Sequence, residues 1–497
     1  MIQLRHLSSF REFIAELGKI GEIQQVDREV DWDLELGAIA RRSYELRAPA
    51  PLFNSIKGIE PGFRVLAAPG GLSAQPGLTH CRIALALGLP PDTEGTEIVR
   101  RLAAARKLPP IPPRVIATGP CKENVLTGDD VDLLRLPTPL IHQGDGGRYL
   151  QTYGLNVAKT PDGSWTNWSV NRMMLVDRNR LACLIPPTQH FGIIKGQWQE
   201  QGRPMPVAVV FGGDPGLPYV GGMPVPENVD ESHFLGSYFG EPLEMVQAET
   251  VDLLVPASAE IVIEGHVSHT NGALEGPMGE YPGYLDRATA APRPVLEVSA
   301  ITYRNDPILP VAVAGAPVEE DHTAAGLPIA AEMTHLLQEA GLPVTICWCV
   351  LESASHWWVV AVDPDWHDQT GMLAGELSNQ VGEIVFGTKM GFGVPKLLLI
   401  EHDIDVTDPR QVIWAFASRA HPLHGSVHFA GQPSGNLSVY LDPVEKMTYH
   451  VNKVVYNCLL ADRFLPDERP VAADFAHCWP NALQRQVIEN WSSYGYR

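Results

Sequence analysis

The chain has 497 residues, enough for about three domains, and its 45% hydrophobic and 19% charged residues are those of an ordinary globular protein. The net charge of -21 disfavours nucleic acid and anionic membrane surfaces as partners, so an anionic ligand would need local basic groups or a metal ion. No apolar run approaches the ~18 residues that span a bilayer, and seven scattered cysteines without a CxxC pair predict no structural zinc and fit a reducing cytosol. We therefore expect a cytoplasmic protein that does not bind membranes.

Residues 1–114 form the first predicted region, an α/β segment. Apolar residues recur at helical spacing from Phe10 to Leu17, where Ser9 and Glu12 are placed as a capping box. The charges within this stretch exclude a signal-peptide core. The segment LPPIPPR, residues 108–114, is rich in proline and predicts a stiff connector at a domain boundary.

Residues 115–320 form the second predicted region, which is dominated by strands. YLQTYGLNVAKT turns at PDGS into WTNWSVNRMMLV, which turns at DRNR into LACLIPP, and PVAVVFGG, AEIVIEGHVS and PVLEVSAITY continue the pattern. Consecutive strands with short turns predict an antiparallel meander. This favours a barrel or a strongly twisted sheet over a Rossmann unit.

Residues 321–342 are predicted to form a linker helix, and residues 343–497 a C-terminal α/β region. VTICWCVLES, HWWVVAVD and KLLLIEHDID are near-continuous apolar runs, separated by a helical stretch at residues 370–387. A last helix is predicted in PNALQRQVIENWSSYG, with Leu483, Val487 and Trp491 on one face. The fold class is therefore α/β or α+β.

Several familiar catalytic signatures are absent. The sequence contains no GxGxxG, GxSxG or HExxH motif, and GLNVAKT only approaches a P-loop because Ala158 replaces its second glycine. Nucleotide hydrolases, serine hydrolases and zincins are disfavoured.

The stretch EGPMGEYPGY, residues 275–284, places Glu275 and Glu280 around a Gly-Pro-Met-Gly kink that excludes regular helix. Such a turn is either simply solvated or folds both carboxylates toward one point. Arg172 could bind a substrate carboxylate or pair with one glutamate, leaving the other glutamate to retain its proton. Different environments separate two carboxylates into an ionised partner and a general acid, so the three residues suit proton transfer at carbon.

A second candidate set combines Asn167, His190 and Glu231, whose side chains suit a hard divalent ion such as Mn²⁺ or Mg²⁺ shared with a phosphate. Spacing alone makes this a weak signal. Strand parity predicts Asn167 and Arg172 on opposite faces unless a bulge intervenes.

Other clusters are better explained by structure than by chemistry. His421, His424 and His428 follow a predicted helix in a loop and favour loop hydrogen bonds over a metal site. Cys347 and Cys349 lie in an apolar run and are predicted to be packing residues.

Six motifs together resemble, in the same order, the UbiD-like family of prenylated-FMN (prFMN) decarboxylases. These motifs are SWTNWSVNR, PPTQH, MPVPENVDES, DLLVPASAEIVIEG, EGPMGEYPGY and FGTKMGFGVPKLLLIEHDIDV. The resemblance covers essentially the whole chain. The EGPxGE form of the acid motif is similar to the branch that acts on arylacrylic and small heteroaromatic acids.

The resemblance implies reversible, non-oxidative decarboxylation of an aromatic, heteroaromatic or α,β-unsaturated acid with prFMN as electron sink. It implies that Glu280 donates the proton while Arg172 and Glu275 form a polarising pair. The cofactor-binding residues implied by the family are Asn167, Gln189, His190, Glu231 and Lys389. Of these, Asn167, His190 and Glu231 would hold Mn²⁺, and a K⁺ ion is expected near Trp168, Met223 and Glu231.

The resemblance also implies a split-barrel flavin domain in the middle, a linker helix, and a C-terminal domain used for homodimerisation. A flavin prenyltransferase would supply the cofactor. Tyr281 and Gln189 would be pocket walls. In GQPSGNLSV, which includes Leu437, small residues stand where the family has a bulkier one, and this predicts a pocket roomy enough for a bicyclic acid.

Three other functions remain open from the residues. An oxidoreductase using ordinary FMN would need a hydride donor, and the missing dinucleotide fingerprint disfavours it. A flavin-binding or storage protein would hold the cofactor without turnover. A metal-dependent hydrolase would use the Asn, His and Glu set, but it would leave Arg172 and the two glutamates unexplained.

Overall fold

The computed structural model describes residues 4–496, which fold into helices and four β-sheets. The strands are β1 (Ile23–Val26), β2 (Ala50–Phe53), β3 (Arg64–Ala67), β4 (Arg114–Val115), β5 (Asn124–Thr127), β6 (Tyr149–Gln151), β7 (Leu155–Lys159), β8 (Thr166–Ser169), β9 (Met173–Asp177), β10 (Arg180–Cys183), β11 (Met205–Phe211), β12 (Glu244–Gln247), β13 (Leu254–Pro256), β14 (Ile261–Glu275), β15 (Ala291–Tyr303), β16 (Ile308–Val311), β17 (Val344–Cys349), β18 (Trp358–Val362), β19 (Lys396–Glu401), β20 (Ser426–Pro433) and β21 (His450–Asn457).

The α-helices are distributed along the whole chain. They are α1 (Phe10–Lys19), α2 (Glu35–Leu46), α3 (Cys81–Ala86), α4 (Gly95–Ala105), α5 (His190–Glu200), α6 (Leu217–Gly221), α7 (Glu231–Phe239), α8 (Gly326–Glu339), α9 (Trp366–Thr370), α10 (Ala374–Phe386), α11 (Pro409–Arg419), α12 (Pro443–Thr448) and α13 (Asn481–Glu489). Within residues 4–496, none of them combines the length and the apolar character that crossing a membrane requires.

The N-terminal region packs helices against a four-stranded sheet of order β1-β2-β3-β16. Helix α1 begins where the sequence predicts, with the Ser9 side chain accepting a hydrogen bond from the Glu12 amide. Strand β16 pairs in parallel with β3, so this sheet includes a strand from the middle region. A fully buried ion pair, Arg82 with Glu22 at 2.8 Å, fixes the short helix α3 against the sheet.

The middle region contains a nine-stranded sheet in which every pair is antiparallel, as predicted. Its order, β6-β9-β10-β15-β14-β11-β7-β8 with β5 beside β15, is not the predicted meander. Hairpins join only some of the neighbouring strands in this sheet. The strands pair in the arrangement that buries the two sheet faces, which differs from their order along the chain.

The predicted strand WTNWSVNRMMLV is broken at residues 170–172, and its halves β8 and β9 lie toward opposite ends of the nine-stranded sheet. Three linking residues can span no more than about 14 Å between the flanking strand ends. The sheet must therefore curl until its two edges approach each other, which produces the half-barrel expected from the sequence.

The C-terminal region has a mixed five-stranded sheet of order β17-β18-β19-β21-β20, covered by helices. Helix α8 connects the middle region to it, as predicted, and begins after one π-helical turn at Asp321–Ala325. The last helix α13 is present, but Leu483 and Trp491 on its expected packing face are exposed. The seven cysteines are free, and Cys347 and Cys349 are buried as predicted.

Candidate active site

A cavity of about 370 Å³ lies where the curled sheet meets the start of α8 and the C-terminal region. This volume falls in the range of small-molecule sites. Ten residues singled out from the sequence line it: Asn167, Trp168, Arg172, Gln189, His190, Met223, Glu280, Tyr281, Lys389 and Leu437. Glu231 and Glu275 lie directly behind the lining residues. Glu231 accepts a hydrogen bond from Asn167, and Glu275 accepts one from Arg172.

The break between β8 and β9 positions Arg172. Because residues 170–172 leave the regular strand, Asn167 and Arg172 both line the cavity, although strand parity alone would place them on opposite faces. Arg172 Nε donates to Glu275 Oε1 at 2.8 Å, and Nη2 lies 3.3 Å from Glu275 Oε2. Its remaining nitrogen, Nη1, contacts the carboxylate of Glu280.

Glu275 is the better stabilised of the two carboxylates. It is fully buried at the end of β14 and also accepts a hydrogen bond from the Tyr149 hydroxyl at 2.8 Å, while Arg293 Nε lies 3.8 Å away. The Glu275 carboxylate therefore accepts three hydrogen bonds, one from Tyr149 and two from Arg172. Burial and the charge of Glu275 in turn raise the pKa of Tyr149, which stays protonated.

Glu280 lies on the predicted turn and faces the cavity. The Glu280 amide donates to the Tyr284 carbonyl at 3.0 Å, which closes a tight loop in place of a helix. Gly276 has a positive φ of 84°, and a side chain at Gly279 would clash with the His142 ring at 2.6 Å. The two glycines therefore allow the kink that brings Glu280 beside Arg172.

Asn167, His190 and Glu231 also come together. Glu231 Oε1 accepts from Asn167 Nδ2 and Oε2 from the Trp168 amide, both at 2.8 Å. Lys389 Nζ donates to His190 Nδ1 at 2.7 Å. His190 and Glu231 are the first residues of α5 and α7, so two helix N-termini point toward the same side of the cavity.

This donor set fits a divalent ion. The Asn167 Oδ1 atom is buried and has no hydrogen-bond partner among residues 4–496, which leaves one amide oxygen available as a ligand. Burial and Lys389 lower the pKa of His190 to about 3, so its imidazole is neutral, the form that binds metals. Burial raises the pKa of Glu231 to about 8 and lowers that of Lys389 to about 8.

The C-terminal histidines do not assemble into a metal centre. The structure brings no three His, Cys, Asp or Glu side chains within residues 4–496 into a metal-binding group. His421 Nδ1 instead accepts from the Leu423 and His424 amides at 3.1 Å, and His428 lies on β20 beside Ser426. The loop hydrogen bonds favoured from the sequence are therefore seen for His421 and His424, whereas His428 lies on a strand rather than in a loop.

Sequence reasoning missed three consecutive acidic residues at the cavity. Glu319 and Glu320 precede the π-helical turn that leads into α8, and Asp321 is its first residue. Glu320 and Asp321 line the cavity. Glu320 accepts from the Tyr44 hydroxyl and from the Gly70 amide at 2.9 Å. The run EEDH at the start of a predicted helix was the signal that could have revealed them.

Profiles of the three domains of 3-octaprenyl-4-hydroxybenzoate carboxy-lyase (UbiD) match most of the chain. The N-terminal domain matches residues 14–102, the Rift-related domain residues 114–317 and the C-terminal domain residues 322–458. These matches confirm the resemblance drawn from the six motifs.

Two relatives and one solved structure agree with this. The chain is 47% identical over 99% of both proteins to a pyrrole-2-carboxylic acid decarboxylase of Pseudomonas aeruginosa. It is 36% identical over the full length of both to ferulic acid decarboxylase 1 of Saccharomyces cerevisiae. An evolved dimeric form of the UbiD-class enzyme HmfF from Pelotomaculum thermopropionicum, in complex with prFMN, is 27% identical with a TM-score of 0.76, covering 93% of this chain and 97% of that one. The chain therefore belongs to the UbiD family and is a carboxy-lyase.

Proposed function

We propose that this enzyme catalyses reversible, non-oxidative decarboxylation of a heteroaromatic, aromatic or α,β-unsaturated carboxylic acid with bound prFMN. The observation that supports this most strongly is the joining of one guanidinium, Arg172, to two carboxylates at the wall of a single cavity. The relatives act on a pyrrole acid and a cinnamic-type acid, which sets the range of substrates.

The cofactor is needed because CO₂ loss from an sp² carbon leaves an electron pair that no side chain in the cavity can accept. Prenylated FMN supplies this electron sink when bound. The side of the cavity formed by Lys389 and the N-termini of α5 and α7 suits the cofactor phosphate, since it combines a lysine with the positive ends of two helix dipoles. Gln189, beside His190, contributes a further polar group there.

A divalent ion, Mn²⁺ or Mg²⁺, is proposed between Asn167, His190 and Glu231, where it would meet the same phosphate. K⁺ is proposed beside Trp168, Met223 and Glu231. Both proposals are supported by the unpartnered Asn167 Oδ1 and by the inward position of these residues, since Trp168 and Met223 line the cavity.

Arg172 and the two glutamates have different roles in the proposed reaction. Arg172 orients the substrate carboxylate and is held in place by two hydrogen bonds to Glu275. Glu280 has fewer donors than Glu275 and opens on the cavity, so it delivers the proton to the carbon that loses CO₂ and removes a proton in the reverse direction. Tyr281 and Leu437 form walls around the substrate ring.

At the level of the whole protein, we assign residues 1–114 as an N-terminal α/β region and 115–320 as the flavin-binding split barrel. Residues 321–342 are the linker and 343–497 the dimerisation domain of a cytoplasmic homodimer. The dimeric HmfF form supports this assembly. A separate flavin prenyltransferase supplies the cofactor.

The experiment compares protein produced with and without a co-expressed flavin prenyltransferase. Mass analysis of the released flavin is expected to find the prenylated form only with that enzyme, and only this preparation should release CO₂ from an acid panel. Metal analysis of the same preparation is expected to find a divalent ion. Plain FMN in both preparations, with no CO₂ release, would contradict the proposal and favour a flavin storage protein.

A further inference from the structure

We infer that Asp145 is a positioning residue for the proton donor, because its buried carboxylate holds the turn that carries Glu280. The inference rests on the proposed function, which gives Glu280 its role, and it adds a residue that is not among those lining the cavity. It follows from the contacts that residues 142–149 make with residues 275–280.

The turn that carries Glu280 needs support from outside itself. Gly276 and Gly279 precede the acid, and glycine by itself restrains the backbone little. Within the turn, the Glu280 amide donates to the Tyr284 carbonyl at 3.0 Å, and the Gly283 amide donates to the Glu280 carbonyl at 2.9 Å. These hydrogen bonds tie Glu280 to the residues that follow it, and the residues before it are held by a different part of the chain.

Asp145 provides this support from the loop 142–146. Its side chain is fully buried. Oδ1 accepts a hydrogen bond at 2.9 Å from the amide of Gly279, the residue before Glu280. Oδ2 accepts from the His142 amide, also at 2.9 Å, and His142 Nδ1 lies 3.1 Å from the same oxygen. Each carboxylate oxygen therefore has a donor, and one of these donors belongs to the turn that carries the proton donor.

The loop and the turn also fit together at their backbones. The Gly146 amide donates to the Pro277 carbonyl at 2.7 Å. A Cβ at Gly146 would lie 2.0 Å from the Gly276 carbonyl oxygen, and a Cβ at Gly279 would lie 2.6 Å from His142 Nδ1. Because both approaches leave no room for a side chain, the loop and the turn pack backbone against backbone. The position of the proton donor therefore depends on the loop.

The strand that follows the same loop contacts the other glutamate. Tyr149, the first residue of β6, donates its hydroxyl to Glu275 Oε1 at 2.8 Å. Residues 142–149 therefore support the segment 275–280 at both of its ends. Since Arg172 contacts Glu275 and Glu280, the placement of both carboxylates around this guanidinium depends on one segment.

A displaced proton donor slows proton transfer but leaves substrate binding intact. A misplacement of about 1 Å costs up to about 10²-fold in rate. Asp145→Ala should therefore lower kcat by about 10- to 100-fold and change KM by less than about two-fold. Asp145→Asn keeps an oxygen that can accept from the Gly279 amide, so its loss in kcat should be smaller.

The kinetic test measures turnover of pyrrole-2-carboxylate and cinnamate by the prFMN-loaded enzyme in H₂O and D₂O. Asp145→Ala should raise the solvent deuterium isotope effect on kcat, because proton transfer becomes slower relative to the other steps. In a Glu280→Gln background, Asp145→Ala should cause no further loss, since the group that it positions is absent. Asp405→Ala is the matched control, because Asp405 also accepts from a backbone amide, that of Thr407 at 2.9 Å, but lies in an exposed turn outside the cavity wall.

A second readout requires neither cofactor nor turnover. Hydrogen–deuterium exchange of the cofactor-free protein, followed by mass spectrometry, should show faster amide exchange in residues 275–284 of Asp145→Ala. Exchange in β11 should remain as in the wild type, which checks that the sheet is folded. Asp145→Asn should remain closer to the wild type than Asp145→Ala does. If Asp145→Ala does not fold, Asp145→Asn takes its place in both backgrounds of the kinetic test.

Three outcomes would overturn the inference. They are an unchanged kcat in Asp145→Ala, an equal fractional loss in the wild-type and Glu280→Gln backgrounds, and unchanged exchange in residues 275–284. If the wild type releases CO₂ and any of these is found, the inference fails and the proposed function stands. If the wild type releases CO₂ from no acid, the proposed function itself fails, and the exchange measurement still decides whether Asp145 holds the turn.

Discussion

In the proposed mechanism, the single residue Arg172 sets different roles for two identical side chains. It donates two hydrogen bonds to Glu275, which is buried and also bound by Tyr149, while Glu280 is left facing the cavity. We propose that this difference in hydrogen-bond donors assigns Glu275 to pair with Arg172 and leaves Glu280 to exchange a proton. Because the two side chains are chemically identical, only their surroundings distinguish the roles of Glu275 and Glu280.

Glu280→Gln is expected to lower the rate of CO₂ release by about 10² to 10⁴, because the amide occupies the same space but cannot deliver a proton. Flavin binding should not change, since Glu280 is not among the residues proposed to hold the cofactor phosphate. The measurement is single-turnover CO₂ release by the prFMN-loaded enzyme, with Glu297→Gln at an exposed position on β15 as control. Normal turnover in Glu280→Gln would disprove its role as proton donor.

At the scale of elements, the segment before α8 carries an unusual electrostatic cost. Burial raises the pKa of Glu320 to about 7 and that of Glu319 well above its ordinary value, so both carboxyls resist ionisation in the folded protein. They lie where a helix N-terminus, the half-barrel and the N-terminal region meet. The folded state therefore binds protons that the unfolded chain releases above its ordinary pKa of 4.5.

Stability should accordingly fall as the pH rises from about 4.5 to 7, since a raised carboxyl pKa stabilises the folded state only while the group is protonated. For Glu320 the loss is on the order of 3 kcal/mol. Glu320→Gln, which keeps an acceptor for the Gly70 amide, should remove this part of the pH dependence. Urea unfolding of the cofactor-free protein at pH 5 and pH 8 measures it, with exposed Glu383→Gln as control. Identical pH dependence in wild type and Glu320→Gln would contradict the expectation.

At the scale of the whole molecule, the C-terminal tail does not form a hydrophobic core within a single chain. No residue of α13 is buried, and the tail exposes large apolar side chains, including Leu465, Val471, Trp479 and Ile488. An apolar surface of this kind is typical of an interface. It supports the homodimer proposed above.

Ending the chain at Phe464 is therefore expected to convert a dimer into a monomer while the rest of the fold remains stable. The reason is that the tail would contribute apolar area to the proposed interface, whereas no residue of α13 is buried in the single chain. Light scattering gives the mass, and circular dichroism checks the fold. Trp479→Glu is a milder variant that should weaken the same contact. A truncated chain that remains dimeric would place the interface elsewhere.

The local parts of this structure follow from the sequence because they depend on short-range rules. The turn at Glu275–Glu280, the helix cap at Ser9, the antiparallel strands and the linker helix were all predicted, since spacing, glycine and proline act within a few residues. The six motifs were enough to indicate the family. The residue types alone indicated Arg172 and the two glutamates as candidate catalytic residues.

Only the tertiary structure decided how these parts come together. The strand predicted across residues 170–172 is broken, and its halves lie near opposite edges of a curled sheet, so that Asn167 and Arg172 line one cavity. The same folding brings Asp321, from the run EEDH before the linker helix, to the wall of this cavity. Strand order and cavity walls depend on contacts between residues far apart in sequence, whose energies come from burial and pairing across the whole molecule rather than from local preference.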